Sequence, residues 1–121
     1  MSHPRPFEDL RDAINTHDPE QVRACFSPAY RCEMPMHPSQ AFEGNERVAE
    51  NYRLIFAQIP DLRAEVLRSS TGQDEIWSEW EMHGHTGAGD EVFIRGCVIA
   101  TADEDGHITW TRFYLDRVTD G

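Results

Sequence analysis

Phe7, Leu10 and Ile14 stand at i, i+3 and i+7, a spacing that gathers apolar side chains on one helix face, so a helix over about residues 7–17 is predicted. Asp18-Pro19-Glu20 then supplies a cap, a proline at the first helical position and an acid near the positive helix end. The short second helix it starts turns Val22, Cys25 and Phe26 inward and stops before Pro28. Tyr30 to Pro35 read as extended, and the stretch on to Gly44, with its prolines and His37, reads as a long loop crossing over the core. The strongest helical stripe follows: Asn45 can cap it, Val48, Tyr52, Ile55, Phe56 and Ile59 recur for nearly four turns, and Pro60 ends it.

From Asp61 the period changes to two. Four strands are expected, over about Leu62–Ser69, Ile76–His85, Val92–Ala100 and Ile108–Val118. The segments between them, 70–74, 86–90 and 103–106, are rich in Gly and Asp, which tolerate turn dihedrals, so the strands should follow one another as antiparallel hairpins. The order helix, helix, strand, helix, four strands implies an α+β domain with helices over one face of a curved antiparallel sheet. No linker or repeat divides residues 1–121, so one domain is expected.

Adjacent strand residues point to opposite faces, and parity decides which of them meet the helices. One face of the second hairpin strand carries Ile76, Ser78, Trp80, Met82 and Gly84; the other carries Trp77, Glu79, Glu81, His83 and His85. Burying two neighbouring carboxylates would cost desolvation and mutual repulsion, which favours the first set inside. The same reasoning turns Thr111, Phe113 and Leu115 inward and leaves Trp110, Arg112, Tyr114 and Asp116 outside. A shift of one residue would instead bring Glu79, Glu81, Arg112 or Asp116 inward.

Composition narrows the chemistry. All 11 basic residues are arginine, so neither a Schiff-base lysine nor a P-loop lysine is available. Against 22 acids they leave a net charge of −11, which argues against generic binding to nucleic acid or an anionic membrane. Cys25, Cys32 and Cys97 form no CxxC spacing, against both a disulfide framework and a zinc ribbon, and a reducing compartment is expected. The amino terminus, MSHPRPFED, lacks the apolar stretch of a signal peptide, and no run approaches transmembrane length; a cytoplasmic location is the expectation.

The element order, YRCEMP before the long loop, FEG-N leading the third helix and GHITWTRFYLD in the last strand together resemble the nuclear transport factor 2-like superfamily over essentially the whole chain. Its SnoaL-like polyketide cyclase, limonene-epoxide hydrolase and ketosteroid isomerase branches are the most similar. The resemblance implies a cone, a cystatin-like roll whose three helices and bent sheet enclose an apolar pocket. It also implies a ligand pocket at Tyr52, Phe56, Trp80, Met82, Phe113 and Leu115. Where epoxide hydrolases of this fold place an arginine and an aspartate on the second hairpin strand, this chain has Trp80 and Met82. Where they and the cyclases carry an acid on the last strand, it has Phe113, so the inherited acid–base machinery is missing.

Two residues remain as catalytic candidates. Glu33, near where related enzymes place polar working residues, would have its pKa raised by an apolar pocket toward the range of a general base; pairing with Arg31 or Arg53, or a place at the solvent-facing rim, is the structural alternative. His37 in the proline-flanked loop would shuttle protons over the cone mouth if it is not merely exposed. Tyr30 and Tyr52 are candidate donors to a carbonyl, with core packing the competing role for Tyr52. His83 and His85 share a strand face, yet nothing in their spacing with Cys32 or His37 demands a metal, so neither a metal nor a cofactor is expected. Gly84 to Gly89 join two strands and read as a hairpin turn, not a phosphate loop.

The expected function is binding of a small, largely apolar molecule, with isomerase or cyclase chemistry beside a carbonyl. The alternative is a non-catalytic ligand-binding or interaction module. On the outer face Trp77, Glu79, Glu81, Trp110, Arg112 and Tyr114 form an aromatic patch in a charged frame, and both this composition and the resemblance imply a homodimer through it.

Overall fold

The computed structural model describes residues 5–118; residues 1–4 and 119–121, and with them the start of MSHPRPFED, lie outside it. Helices α1 (Pro6–Asn15) and α2 (Pro19–Arg23) precede strand β1 (Phe26–Glu33), a short strand β2 (Phe42–Glu43) and helix α3 (Asn45–Gln58). Strands β3 (Arg63–Thr71), β4 (Ile76–His85), β5 (Glu91–Ala102) and β6 (Ile108–Arg117) complete the chain. They form one six-stranded sheet in the order β2-β1-β6-β5-β4-β3, covered by the three helices on one face. This is the α+β architecture expected from the alternation after Asp61.

Most local signals act as anticipated. The Asp18 side chain accepts the Glu20 amide and caps α2. Three details differ. Phe26 opens β1 instead of closing α2, because the carbonyl of Cys25 already accepts the amide of Ile108 at 2.9 Å and so commits the chain to the sheet before Pro28. Asn45 is the first helical residue and Gly44 the cap; the Asn45 amide instead donates to the carbonyl of Phe26 at 3.1 Å, tying α3 to β1. β2 lies inside the expected loop, too short for any period to reveal.

β1 pairs with β6 in parallel, while β3 to β6 form the expected antiparallel hairpins. β1 has no hairpin partner close in sequence beyond β2. It closes the sheet by docking beside the last strand, with Cys32 opposite Thr111 and Glu33 opposite Arg112.

At the far edge, α1 covers β3. The Asn15 amide donates to the Ala64 carbonyl (3.0 Å) and accepts the Ala64 N–H (2.8 Å), which occupies backbone groups of an edge strand. The register of β3 against β4 shifts between Val66 and Arg68, and Leu67 is left exposed at the bulge.

Gly96 stands opposite both Trp80 and Leu115, at φ 150°, a backbone conformation that residues with a Cβ rarely adopt. A Cβ there would overlap the Tyr114 carbonyl. The missing side chain lets β5 close on β6.

Candidate functional site

The concave face of the sheet and the inner faces of α1 and α3 enclose the core, and its polar groups are few. Ser78, Trp80, Met82 and Gly84 alternate inward along β4, as burial cost required. Trp80 is 1% exposed; its indole N–H donates to Ser78 Oγ (2.8 Å), which donates in turn to the Val98 carbonyl (2.9 Å), and Phe7 meets the ring edge-on at 5.9 Å. On the β1–β6 side the hydroxyls of Tyr30 and Thr111 are hydrogen-bonded, with the Cys32 thiol beside both. Phe26 and Phe42 pack on the Tyr30 ring at 4.5 and 5.8 Å. From α3, Tyr52 and Phe56 lie 5.6 Å apart.

Of the proposed pocket residues, Phe56, Trp80 and Met82 are buried, and Tyr52, Phe113 and Leu115 are half-buried and packed against them. Met34, Ile55 and Ile94 are half-buried against the core as well, as are Cys25, Phe42, Val66 and Ile76. Two surface clefts lie elsewhere. One of about 240 Å³ is lined by Arg5, Phe7, Ser69, Thr71 and Ile76. The other, of about 290 Å³, lies on the outer sheet face beside Trp77, Arg68, Glu79 and Cys97.

Among the described residues the buried set contains no Asp, Glu, Arg or His; its polar members are Ser78 and Thr111 with the Tyr30 hydroxyl and Cys32 thiol. Burial disfavours the charged form of each acidic group here. It pushes the Tyr30 phenol well up, raises Cys32, and lifts Tyr52 as well, with the nearby Cys32 and Cys25 thiols adding to the last. Half-buried Cys25 rises to about 11, mainly by burial. Around neutral pH these groups are uncharged hydrogen-bonding partners.

Neither catalytic candidate lies among them. Glu33 follows inward-facing Cys32 on β1 and pairs with outward-facing Arg112, so its carboxylate belongs to the outer face. This corrects the expected position at the polar end of the core; strand parity, which places Tyr30 and Cys32 inside, is the physical reason. His37 is exposed, and its Nε2 lies 3.1 Å from Oδ2 of Asp116 at the end of β6. The His37 hydrogen bond, reinforced by the Arg117 amide, holds the Asp116 carboxyl below its ordinary range. Neither that partner nor the Tyr30–Thr111 pair had a signal in the sequence, since 79 and 81 residues separate the members.

The histidines considered for a metal are dispersed. His83 stacks on Phe93 at 6.3 Å, His85 pairs with Asp61 at 2.7 Å, and Cys32 faces the core on another strand. Asp103, Asp105 and His107 do gather in the exposed β5–β6 turn, where Asp103 Oδ1 accepts the amides of Asp105 and His107 and so shapes the turn itself.

On the outer face Trp77 is 52% exposed, Tyr114 is exposed and Trp110 half-buried. Arg68 pairs with Glu79 at 3.0 Å and Arg95 with Glu81 at 3.3 Å, while the Arg112 guanidinium lies 5.8 Å from the centre of the Tyr114 ring. Ile99, between Trp77 and Arg112 in the register, is only 7% exposed although it points away from the helices. No helix among the described residues is long and apolar enough to cross a membrane.

The architecture is that of the NTF2-like cone. An NTF2-like protein of unknown function from Exiguobacterium sp. 255-15 superposes with a TM-score of 0.76 at 16% identity, covering 96% of this chain and 100% of that one. A Mycobacterium tuberculosis LEH-like epoxide hydrolase gives 0.76 at 21% identity, over 93% of this chain and 80% of that one. A second M. tuberculosis protein, solved in complex with estradiol-17beta-hemisuccinate, gives 0.75 at 20%, over 92% and 91%. Among curated proteins no sequence match is found. The profile of the SnoaL-like domain matches residues 7–111, and the chain belongs to that family.

Proposed function

We propose that this protein binds a small, neutral, largely apolar molecule among the half-buried side chains of the core, between α3 and Trp80, Met82, Phe113 and Leu115, without transforming it. The observation that carries this reading is the absence of Asp, Glu, Arg and His from the buried set of described residues. An ionised ligand would find no counter-charge there, and its desolvation would go uncompensated. General acid–base catalysis needs a group with a pKa near the working pH, and the interior hydroxyls and thiol lie above it. The Tyr52 hydroxyl is the donor for an acceptor oxygen on the ligand. Binding displaces half-buried side chains, since Met34, Phe113 and Leu115 pack against the core. That a relative of the same fold was solved with estradiol-17beta-hemisuccinate supports the fold's capacity for an apolar steroid body; the free carboxylate of that half-ester lends no support to the neutral-ligand part of the reading.

The test compares a long-chain methyl ketone with the fatty acid of equal length, titrated against intrinsic tryptophan fluorescence. Binding of the ketone with at least tenfold preference supports the reading; equal binding of the acid overturns it. The mass of any ligand extracted from the purified protein is an independent check.

An isomerase or cyclase reading rests instead on His37, Glu33 facing away from the core, and the His37–Asp116 hydrogen bond favours it, because a carboxylate orients an imidazole for proton transfer. Turnover of a carbonyl substrate that survives both Glu33→Gln and His37→Ala would end it. A second copy of the chain is the proposed partner on the outer face. The exposed Trp77 and the apolar centre around Ile99 support a symmetric pairing there.

A further inference from the structure

Charge is unevenly placed on this chain. No arginine stands in the turns 72–75, 86–90 and 103–107, which carry Asp74, Glu75, Asp90, Asp103, Glu104 and Asp105 at the ends of the hairpin strands. On the outer face of the sheet, arginines and acids instead answer one another within the chain. Arg31 lies 3.6 Å from Glu43, Arg68 3.0 Å from Glu79 and Arg95 3.3 Å from Glu81, and Arg112 stands opposite Glu33. Among these pairs Ile99 has Trp77 on one side and Arg112 on the other, with Tyr114 two residues along β6. The outer face thus has an apolar centre and matched charges, and acidic turns frame it at both ends of the strands.

We propose that a second copy docks on this apolar centre and that the acidic turns make the pairing depend on ionic strength, weak in dilute salt and strong near 0.15 M. The proposal rests on the outer-face pairing put forward above and adds its regulation. Its sign follows from which charges are already satisfied. Arg31, Arg68 and Arg95 have their acids within their own chain, so salt finds no bridge between copies to break, and the burial of Trp77 is not screened. Sheets packed face to face keep their strands within about 30° of each other, which brings the strand ends of one copy near those of the other. There, turns of one sign meet turns of the same sign, on chains that each carry −11. Such repulsion reaches about 30 Å at 0.01 M salt and only about 8 Å at 0.15 M. An interface held by ion pairs between copies would respond in the opposite direction.

The experiment is sedimentation equilibrium of the full chain at micromolar concentration in 0.01 and 0.15 M sodium chloride at neutral pH. The dimer is expected to be about tenfold tighter at the higher salt. The triple variant Asp74→Asn, Asp90→Asn, Glu104→Gln removes exposed turn charges and leaves the outer face untouched. It should associate several-fold more tightly than wild type in 0.01 M salt and about equally in 0.15 M. Trp77→Ala should weaken the dimer at both. A dimer that loosens with salt, ignores it, or gains nothing from the triple variant overturns the proposal and leaves the pairing standing. A monomer at both salt concentrations, or a dimer indifferent to Trp77→Ala, overturns the pairing and the proposal together.

Discussion

Nδ1 of His85 lies 2.7 Å from Oδ2 of Asp61, and Oδ1 of the same carboxylate accepts the His85 amide at 2.6 Å. Two bonds from one side chain thus pin the turn after α3 to the end of β4. The His85 side-chain hydrogen bond, then its amide, hold the Asp61 carboxyl below its ordinary 3.8, and Asp61 in turn raises the His85 imidazole above 6.5.

This pair predicts a stability window. A raised histidine contributes fully below its unfolded pKa and loses the contribution as pH climbs through the folded value, above 6.5. A lowered carboxyl contributes above its unfolded pKa and loses it as pH falls through the folded value, below 3.8. Denaturant midpoints measured across pH should therefore differ most between wild type and Asp61→Asn from about 4 to 6.5, and converge toward each extreme. A difference that stayed constant from well below 3.8 to well above 6.5 would show that the pair titrates independently of folding.

Gly84→Ala tests the close approach beneath that pair. An added Cβ would overlap Ile59 and meet Leu62 Cα at 3.2 Å. We expect a loss of about 1–3 kcal/mol in chemical denaturation. Gly96→Ala should cost at least as much, because it adds backbone strain at φ 150° to overlap with the Tyr114 carbonyl.

Two tryptophans of one strand should behave differently. Trp80→Ala removes a buried indole and should destabilise the fold by roughly 3–5 kcal/mol. Trp77→Ala, three residues away on the opposite face and half exposed, should change monomer stability by less than about 0.5 kcal/mol. If the outer faces pair, it should weaken self-association by about 2 kcal/mol or more, as should Trp110→Ala. Sedimentation of the wild type as a monomer at micromolar concentration would remove the pairing and leave the stability contrast intact.

Tyr52→Phe deletes the proposed donor while keeping the ring against Phe56. Ketone affinity should fall by about 0.5–1.5 kcal/mol, the net worth of one hydrogen bond, with little change in the affinity for an alkane of equal length. Equal losses for both ligands would point to packing instead.

Much of this protein follows from local order along the chain. The apolar stripes placed α1 and α3 to within about two residues and the Asp18 cap placed the start of α2, though not its end; the change of period after Asp61 placed β3 to β6. The cost of burying Glu79 and Glu81 was enough to turn Trp80 and Met82 inward, because parity is a local constraint and desolvation a large one. Tertiary structure decided what depends on distant partners. Cys32 was drawn inward opposite Thr111, and that pairing sent Glu33 outside with Arg112. Docking β1 alongside β6 brought the Tyr30 and Thr111 hydroxyls together and set His37 against Asp116. No periodicity reports such contacts, since strand docking is chosen by the packing of whole faces and the closure of long loops, not by the residues that end up touching.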